Sequence, residues 1–275
     1  MASDLTHEQT VPMPAASEPA APPPKAGGLS GKHRSRFVII YAMLGAVLAA
    51  AIAGAAIYGT RSINPAPPWS AWKPSGGGLG ATRQIAAHVA KTYRLPDGNQ
   101  LVDVISKAPS VSPASNTTVP IHYVAVRGGK GGTDEIAEVT PTNSVMYSLC
   151  GLGTSCAIAT GKPSVQRGTL VRREILELAL YTFKYVDGIK HVIAFMPPQP
   201  GQQPKYVVYL REQDLQQQLK VPLLQSLGAK VPLPNKIPAR EVRVVDATTE
   251  PRVFSFSLSQ TPNGDAVFVF APLAS

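Results

Sequence analysis

Cysteine is nearly absent from the sequence: Cys150 and Cys156 are the two in 275 residues. That excludes a disulfide-dense miniprotein and a four-cysteine zinc site. Charge is sparse too, at 16% of the chain, and acidic residues are the scarcer sign, 17 against 26 basic, for a formal net charge of +9. No run of four basic residues occurs, so the excess reads as scattered solvated charge and nucleic acid is a disfavoured partner. Neither a G-X-Y period nor a sustained heptad is present, which removes collagen and coiled coil. The sequence also lacks G-x-S-x-G, H-E-x-x-H and a calcium-binding EF-hand loop. Residues 128–133 and 160–164 approach a phosphate loop, but Pro163 separates Lys162 from Ser164 and the pattern fails.

What is present first is a membrane signal. Residues 37–58, FVIIYAMLGAVLAAAIAGAAIY, carry no charge over 22 positions. At 1.5 Å per residue they reach about 33 Å, the span of a bilayer core. Tyr41 and Tyr58 lie near the ends, as interfacial residues do. The sequence therefore predicts one transmembrane helix in the lipid bilayer. Lys32, Arg34 and Arg36 flank it on the N-terminal side, with Lys25 farther out, against Arg61 and Lys73 beyond it. The positive-inside bias then keeps the N-terminus cytoplasmic and exports the rest, giving a single-pass cell-membrane protein. A cleaved signal peptide competes, because residues 51–53 and 53–55 fit a small-x-small site. The run is longer than a signal core and starts after a 36-residue leader, which favours an uncleaved signal anchor. Gly45, Ala49 and Ala53, and beside them Ala46, Ala50 and Gly54, recur at four-residue spacing. Such stripes let two helices approach closely and form a homodimer, although abundant alanine alone produces the same pattern.

Around the span the composition changes sharply. Residues 1–36 hold six prolines and little aliphatic surface, an Ala/Pro-rich disordered cytoplasmic tail. Residues 59–80 combine Pro65, Pro67, Pro68 and Pro74 with three consecutive glycines, a partly stiff spacer. Trp69 and Trp72 lie in it, placed to rest on the outer leaflet, to pack on the domain that follows, or to meet a partner. The folded part, 81–275, opens with an amphipathic helix at 82–93, where Ile85, Val89 and Tyr93 share a face. Strands are predicted at 101–105, 121–127 and 144–149, with a polar loop around 108–118 and a glycine-rich loop at 127–135. A long helix at 169–186 places Val171, Ile175, Leu178, Thr182 and Val186 on one face and pairs Arg173 with Glu177 on another. A hairpin at 191–196 and 205–210, a short helix at 212–220 and a terminal hairpin alternating Phe254, Phe256 and Leu258 with serines complete the chain. The result is an exported α+β domain with a mainly antiparallel sheet, as one domain or as two lobes divided near residue 160.

Cys150 and Cys156 enclose GLGTS, and on the exported side of a membrane such a pair is oxidised to a disulfide, worth roughly 2.4 kcal/mol by chain entropy. Residues 59–275 hold 22 basic and 14 acidic groups, a balance that attracts anionic lipid or acidic wall polymer. His88, His122 and His191 are far apart, each without a second ligand nearby, and read as satisfied structural histidines. No cofactor is implied. These features leave three readings. One is a non-catalytic, membrane-anchored binding or assembly module of the cell envelope with an envelope protein as partner. Another is an envelope hydrolase or transferase acting on an anionic substrate, and the last a single-pass ligand sensor. Replacing Gly45 and Gly54 with Leu abolishes dimers of the full chain in detergent if the stripes pack helix on helix. Unchanged dimer content in analytical ultracentrifugation removes self-association through the span.

Overall fold

The computed structural model describes residues 31–60, 68–114, 117–128 and 136–273. The tail up to residue 30, the middle of the spacer at 61–67 and the glycine-rich loop at 129–135 lie outside them. The chain divides into two compact units, residues 1–65 and 66–275.

In the first unit, helix α1 (Gly31–Thr60) contains the stretch Phe37–Ala56, with a mean hydropathy of 2.4, long and apolar enough to cross a membrane. The helix begins before the apolar run and takes in the backbone of Lys32, Arg34 and Arg36.

The second unit starts with α2 (Gly78–Ala90), then strands β1 (Asp103–Lys107), β2 (Ser110–Ala114), β3 (Thr117–Arg127), β4 (Ile136–Val139) and β5 (Ser144–Cys150). Helix α3 (Val165–Tyr185) leads to β6 (His191–Phe195) and β7 (Tyr206–Arg211). Short helices α4 (Gln216–Lys220) and α5 (Leu223–Ser226) precede α6 (Ala239–Thr249), β8 (Val253–Gln260) and β9 (Ala266–Pro272).

The strands form one sheet in the order β1-β5-β6-β7-β8-β9-β3-β2, with β4 also on β3. The expectation of a mainly antiparallel sheet is corrected here: the sheet is mixed and barrel-like. β5 and β6 run parallel, Ser144 opposite His191, and β3 runs parallel to β9, Val124 opposite Phe268. A parallel pair needs a long crossover, and α3 supplies it between β5 and β6. That pairing joins residues on either side of position 160 in the same sheet.

Strand alternation gives the sheet two cores. Val145, Tyr147 and Leu149 of β5, Val192 and Ala194 of β6, and Val208 and Leu210 of β7 face the helices, where Leu170, Ile175, Leu176, Leu178 and Leu180 of α3 meet them. Burying each of those aliphatic side chains contributes about 1.5–3 kcal/mol. Met146, Ile193, Val207 and Tyr209 point the other way and meet Ile121, Val124 and Val126 of β3, Val139 of β4, and Phe268 and Phe270 of β9. The curl of the sheet lets this second face cover itself.

Other departures from expectation are local. The polar stretch expected to be a loop around 108–118 contains β2, with Val111 opposite Val119; its serines and Pro113 hide the strand pattern. Helix α6 was not foreseen; its buried positions Glu241, Val245, Thr248 and Thr249 follow helical spacing, but only one of them is aliphatic. Arg173 and Glu177 do pair, at 3.2 Å, but in the interior rather than on a solvated face. Arg173, 1% exposed, donates from Nε to Glu241 Oε2 at 3.2 Å, from Nη1 to the Tyr93 hydroxyl at 2.6 Å, and from Nη2 to the Gly228 carbonyl at 3.1 Å. The Tyr93 hydroxyl in turn donates to Glu177 Oε2 at 2.6 Å.

Next to this network Glu174 is fully buried, and neither carboxyl oxygen has a hydrogen-bond partner among the described residues. Burial, reinforced by Glu177 and opposed by Arg173, pushes its pKa well above the ordinary 4.5. The folded chain therefore holds a proton that the unfolded chain releases, and folding stability falls as pH rises from about 5 upward. Glu174→Gln keeps the shape and removes the titration. Its denaturation midpoint should change less than the parent's between pH 5 and 8, with its advantage growing toward pH 8. Equal pH slopes in the two proteins would sink the argument.

Candidate functional site

The open end of the barrel-like sheet forms a cleft of about 900 Å³. It lies where β3 ends, β4 begins, β6 starts and β7 finishes, with Arg252 and Phe254 at the start of β8 closing one side. The same alternation that divides the cores builds its floor. In the antiparallel register of β6 and β7, His191 is opposite Arg211 and Ile193 is opposite Tyr209. Ile193 and Tyr209 belong to the barrel core, so His191 and Arg211, two positions along each strand, share that face. His191 and Tyr209 then meet diagonally, with the Tyr209 hydroxyl 2.8 Å from His191 Nδ1 and the rings nearly parallel.

The chain turns immediately after β7, and the turn places Asp214 beneath Arg211. The Arg211 backbone N–H and Nε donate to Asp214 Oδ2 at 3.2 and 3.0 Å, and Nη2 donates to Oδ1 at 2.8 Å. Arg252 Nε reaches Oδ2 at 3.2 Å, so two guanidinium groups share one carboxylate. At the rim Lys190 pairs with Glu212 at 2.5 Å. Burial favours the protonated form of Asp214, but the hydrogen bonds from Arg211 and Arg252 outweigh it and hold its pKa below the ordinary value. Burial lowers the pKa of His191, helped by Arg211, and raises that of Tyr209 to about 12. At neutral pH the floor therefore presents a neutral imidazole bonded to a neutral phenol, beside an ionised carboxylate already held by two cations. No serine, threonine or cysteine is among the described residues of the cleft wall. Among the described residues no three His, Cys, Asp or Glu side chains converge as a metal site.

The residues singled out from sequence lie elsewhere. The sulfurs of Cys150 and Cys156 are 2.06 Å apart, at disulfide distance, at the far end of β5 from the cleft. A Cβ at Gly151 would sit 2.2 Å from the Ala157 carbonyl oxygen, so only glycine fits in that loop. Trp69 and Trp72 pack on the domain. Trp72 stacks on His88 at 3.9 Å, and Trp69 makes edge contacts with Tyr181 and Tyr185. The Trp69 carbonyl accepts from the Leu223 N–H at 2.7 Å, so the last part of the spacer belongs to the folded unit. Gly45, Ala46, Ala49, Ala50, Ala53 and Gly54 lie on α1. His88 stacks on Trp72, His191 meets Tyr209, and His122 is exposed on β3 with an edge contact to the Tyr123 ring.

Sequence reading found His191 only as a structural residue and missed Tyr209, Arg211, Asp214 and Arg252. The available signal was the alternation in HVIAF and YVVYLR, which puts a histidine, a tyrosine and an arginine on one face once the hairpin is registered. No protein-family model, no curated protein and no solved structure matches the chain.

Because Asp214 has a depressed pKa, it contributes stability that is present above about pH 4 and lost as pH falls through the folded value. Asp214→Asn should cost about 1–3 kcal/mol at pH 7, where charge-assisted bonds are weakened, and less at pH 3. Denaturant titrations at both pH values test this, and equal losses at pH 7 and pH 3 would count against it.

Proposed function

We propose that the chain is a single-pass membrane protein whose extracytoplasmic domain is a non-catalytic binding module of the cell envelope, with the cleft as its ligand site. The cleft carries this reading: a roomy concave surface in which apolar side chains such as Ile136, Val139 and Phe254 lie beside a few fixed polar groups is the usual form of a binding site. The polar groups are already committed to one another, His191 to Tyr209 and Asp214 to Arg211 and Arg252. Groups held in this way orient a ligand. The anchor supports the placement: Phe37–Ala56 is long and apolar enough to span a bilayer. The basic residues Lys32, Arg34 and Arg36 precede it, and a cysteine pair at bonding distance suits an oxidising compartment. An envelope protein is the partner; anionic lipid and wall polymer are the competing ligands.

A photo-cross-linking residue at Gln213, on the cleft wall, tests this in cells producing the full chain, with the same residue at exposed Leu258 on β8 as control. A discrete protein adduct from position 213 and none from position 258 is expected. Adducts that are the same from both positions, or none from 213 under several growth conditions, would overturn the binding-module reading. Recovery of lipid or polymer alone would transfer the site to those ligands.

A further inference from the structure

Strand β4 is hydrogen-bonded in the sheet on one side only. Its four residues pair with β3, Val124 opposite Val139 through Arg127 opposite Ile136, and no strand among the described residues takes its other edge. Unpaired N–H and C=O groups in a row are a template for another extended chain, and proteins commonly blunt such edges with proline, lysine or irregular register. The other outer strands of this sheet carry those devices. β2 contains Pro113 and shifts register between Val111 and Ala114, and β1 ends in Lys107. β4, four residues with the sequence IAEV, has no proline or lysine and keeps a regular register, its one charge being Glu138. All four of its residues border the cleft, with Ile136, Ala137 and Glu138 exposed.

The wall facing β4 carries one net positive charge. Arg211 and Arg252 share the single carboxylate of Asp214, which leaves one positive charge uncompensated, while Lys190 and Glu212 cancel. Arg127, exposed and opposite Ile136 in the register, adds a second cation, and Glu138 supplies one acidic charge on β4 itself. An extended chain rises about 3.3 Å per residue, so four residues beside β4 cover about 13 Å. Alternate side chains of such a segment would point toward the aromatic rings of Tyr209 and Phe254 and toward Arg211 and Arg252.

We propose that an acidic, extended polypeptide segment binds in the cleft as an added strand along the free edge of β4. The proposal rests on the cleft being the binding site and adds the ligand's chemical class and backbone mode of recognition. Main-chain hydrogen bonds supply a contact that any extended peptide can make, and the arginines select the acidic one.

The test uses the full chain in neutral-lipid nanodiscs and three capped peptides of about eight residues. One alternates glutamate with valine, one alternates lysine with valine, and the third is the glutamate peptide with alternate backbone nitrogens methylated, prepared in both phases. Fluorescence anisotropy reads affinity and amide exchange reads the contact. The glutamate peptide should bind at least about tenfold more tightly than the lysine peptide and than one of the methylated phases. It should also slow exchange at residues 136–139. Equal binding of the acidic and basic peptides, no binding of the acidic one, or indifference to methylation in both phases overturns the proposal. Slowed exchange around His191 and Arg252 without residues 136–139 also overturns strand addition, yet leaves the cleft as the ligand site. Protection of 136–139 that grows with protein concentration in the absence of peptide assigns the edge to a second copy and removes the acidic segment. The cross-link from Gln213 does not depend on any peptide, so failure of the binding-module reading is visible separately.

Discussion

A guanidinium withdrawn from water has to find acceptors for its N–H groups inside the protein, and Arg173 finds them on four separate segments. Tyr93 lies just beyond α2, Glu177 one turn along α3, Glu241 on α6, and the Gly228 carbonyl in the loop between α5 and α6. Glu241 also accepts from the Gly228 N–H, which closes the network back on itself. Breaking a buried pair by deleting one partner leaves the other charge unsatisfied in a low-dielectric interior, at a cost of about 3–5 kcal/mol. The helical layer is thus held by one group that tolerates little displacement of any of them. That layer covers one face of β5, β6 and β7, and the opposite face of β6 and β7 is the floor of the cleft. The positions of His191, Tyr209 and Arg211 therefore depend on how the helices pack behind them.

The network also contains more acid than base. Three glutamates, Glu174, Glu177 and Glu241, surround one arginine, and Glu174 has no hydrogen-bonding partner among the described residues. A fully ionised cluster would carry two net negative charges in the core, and burial raises the pKa of both Glu174 and Glu177, so proton binding there reduces the excess. The cleft resolves the same problem in the opposite direction, with two cations sharing one carboxylate at the solvent boundary. The contrast shows how burial acts on excess charge: the interior reduces it by binding protons, whereas the cleft leaves it exposed to water and to ligands.

Periodicity along the chain revealed much of the local structure. The long helix α3, the β6–β7 hairpin and the terminal β8–β9 hairpin all follow from apolar spacing and turn residues, because each is stabilised by neighbours close in sequence. Pairings between distant segments leave no such trace. The parallel pairs β5–β6 and β3–β9 turn an expected antiparallel sheet into a mixed, barrel-like one, and nothing in the strand sequences reports direction. The cleft was illegible for the same reason: Arg127, His191, Asp214 and Arg252 come from four parts of the chain and meet only when the sheet curls. Arg173 misled because its spacing from Glu177 is the same for a surface pair and a buried one. The tryptophans were ambiguous for a related reason, since an indole suits a membrane interface and a protein surface equally well.

The place of β9 between β3 and β8 has a consequence for how the domain is made. Ile121 pairs with Ala266, across about 145 intervening positions, so β3 waits for one of the last strands to be synthesised before that side of it is closed. Contacts this distant in sequence slow folding, and until they form the earlier strands present bare edges to other chains. Shielding of those edges until synthesis is complete, by a chaperone or by the pace of elongation, is therefore a requirement built into the topology.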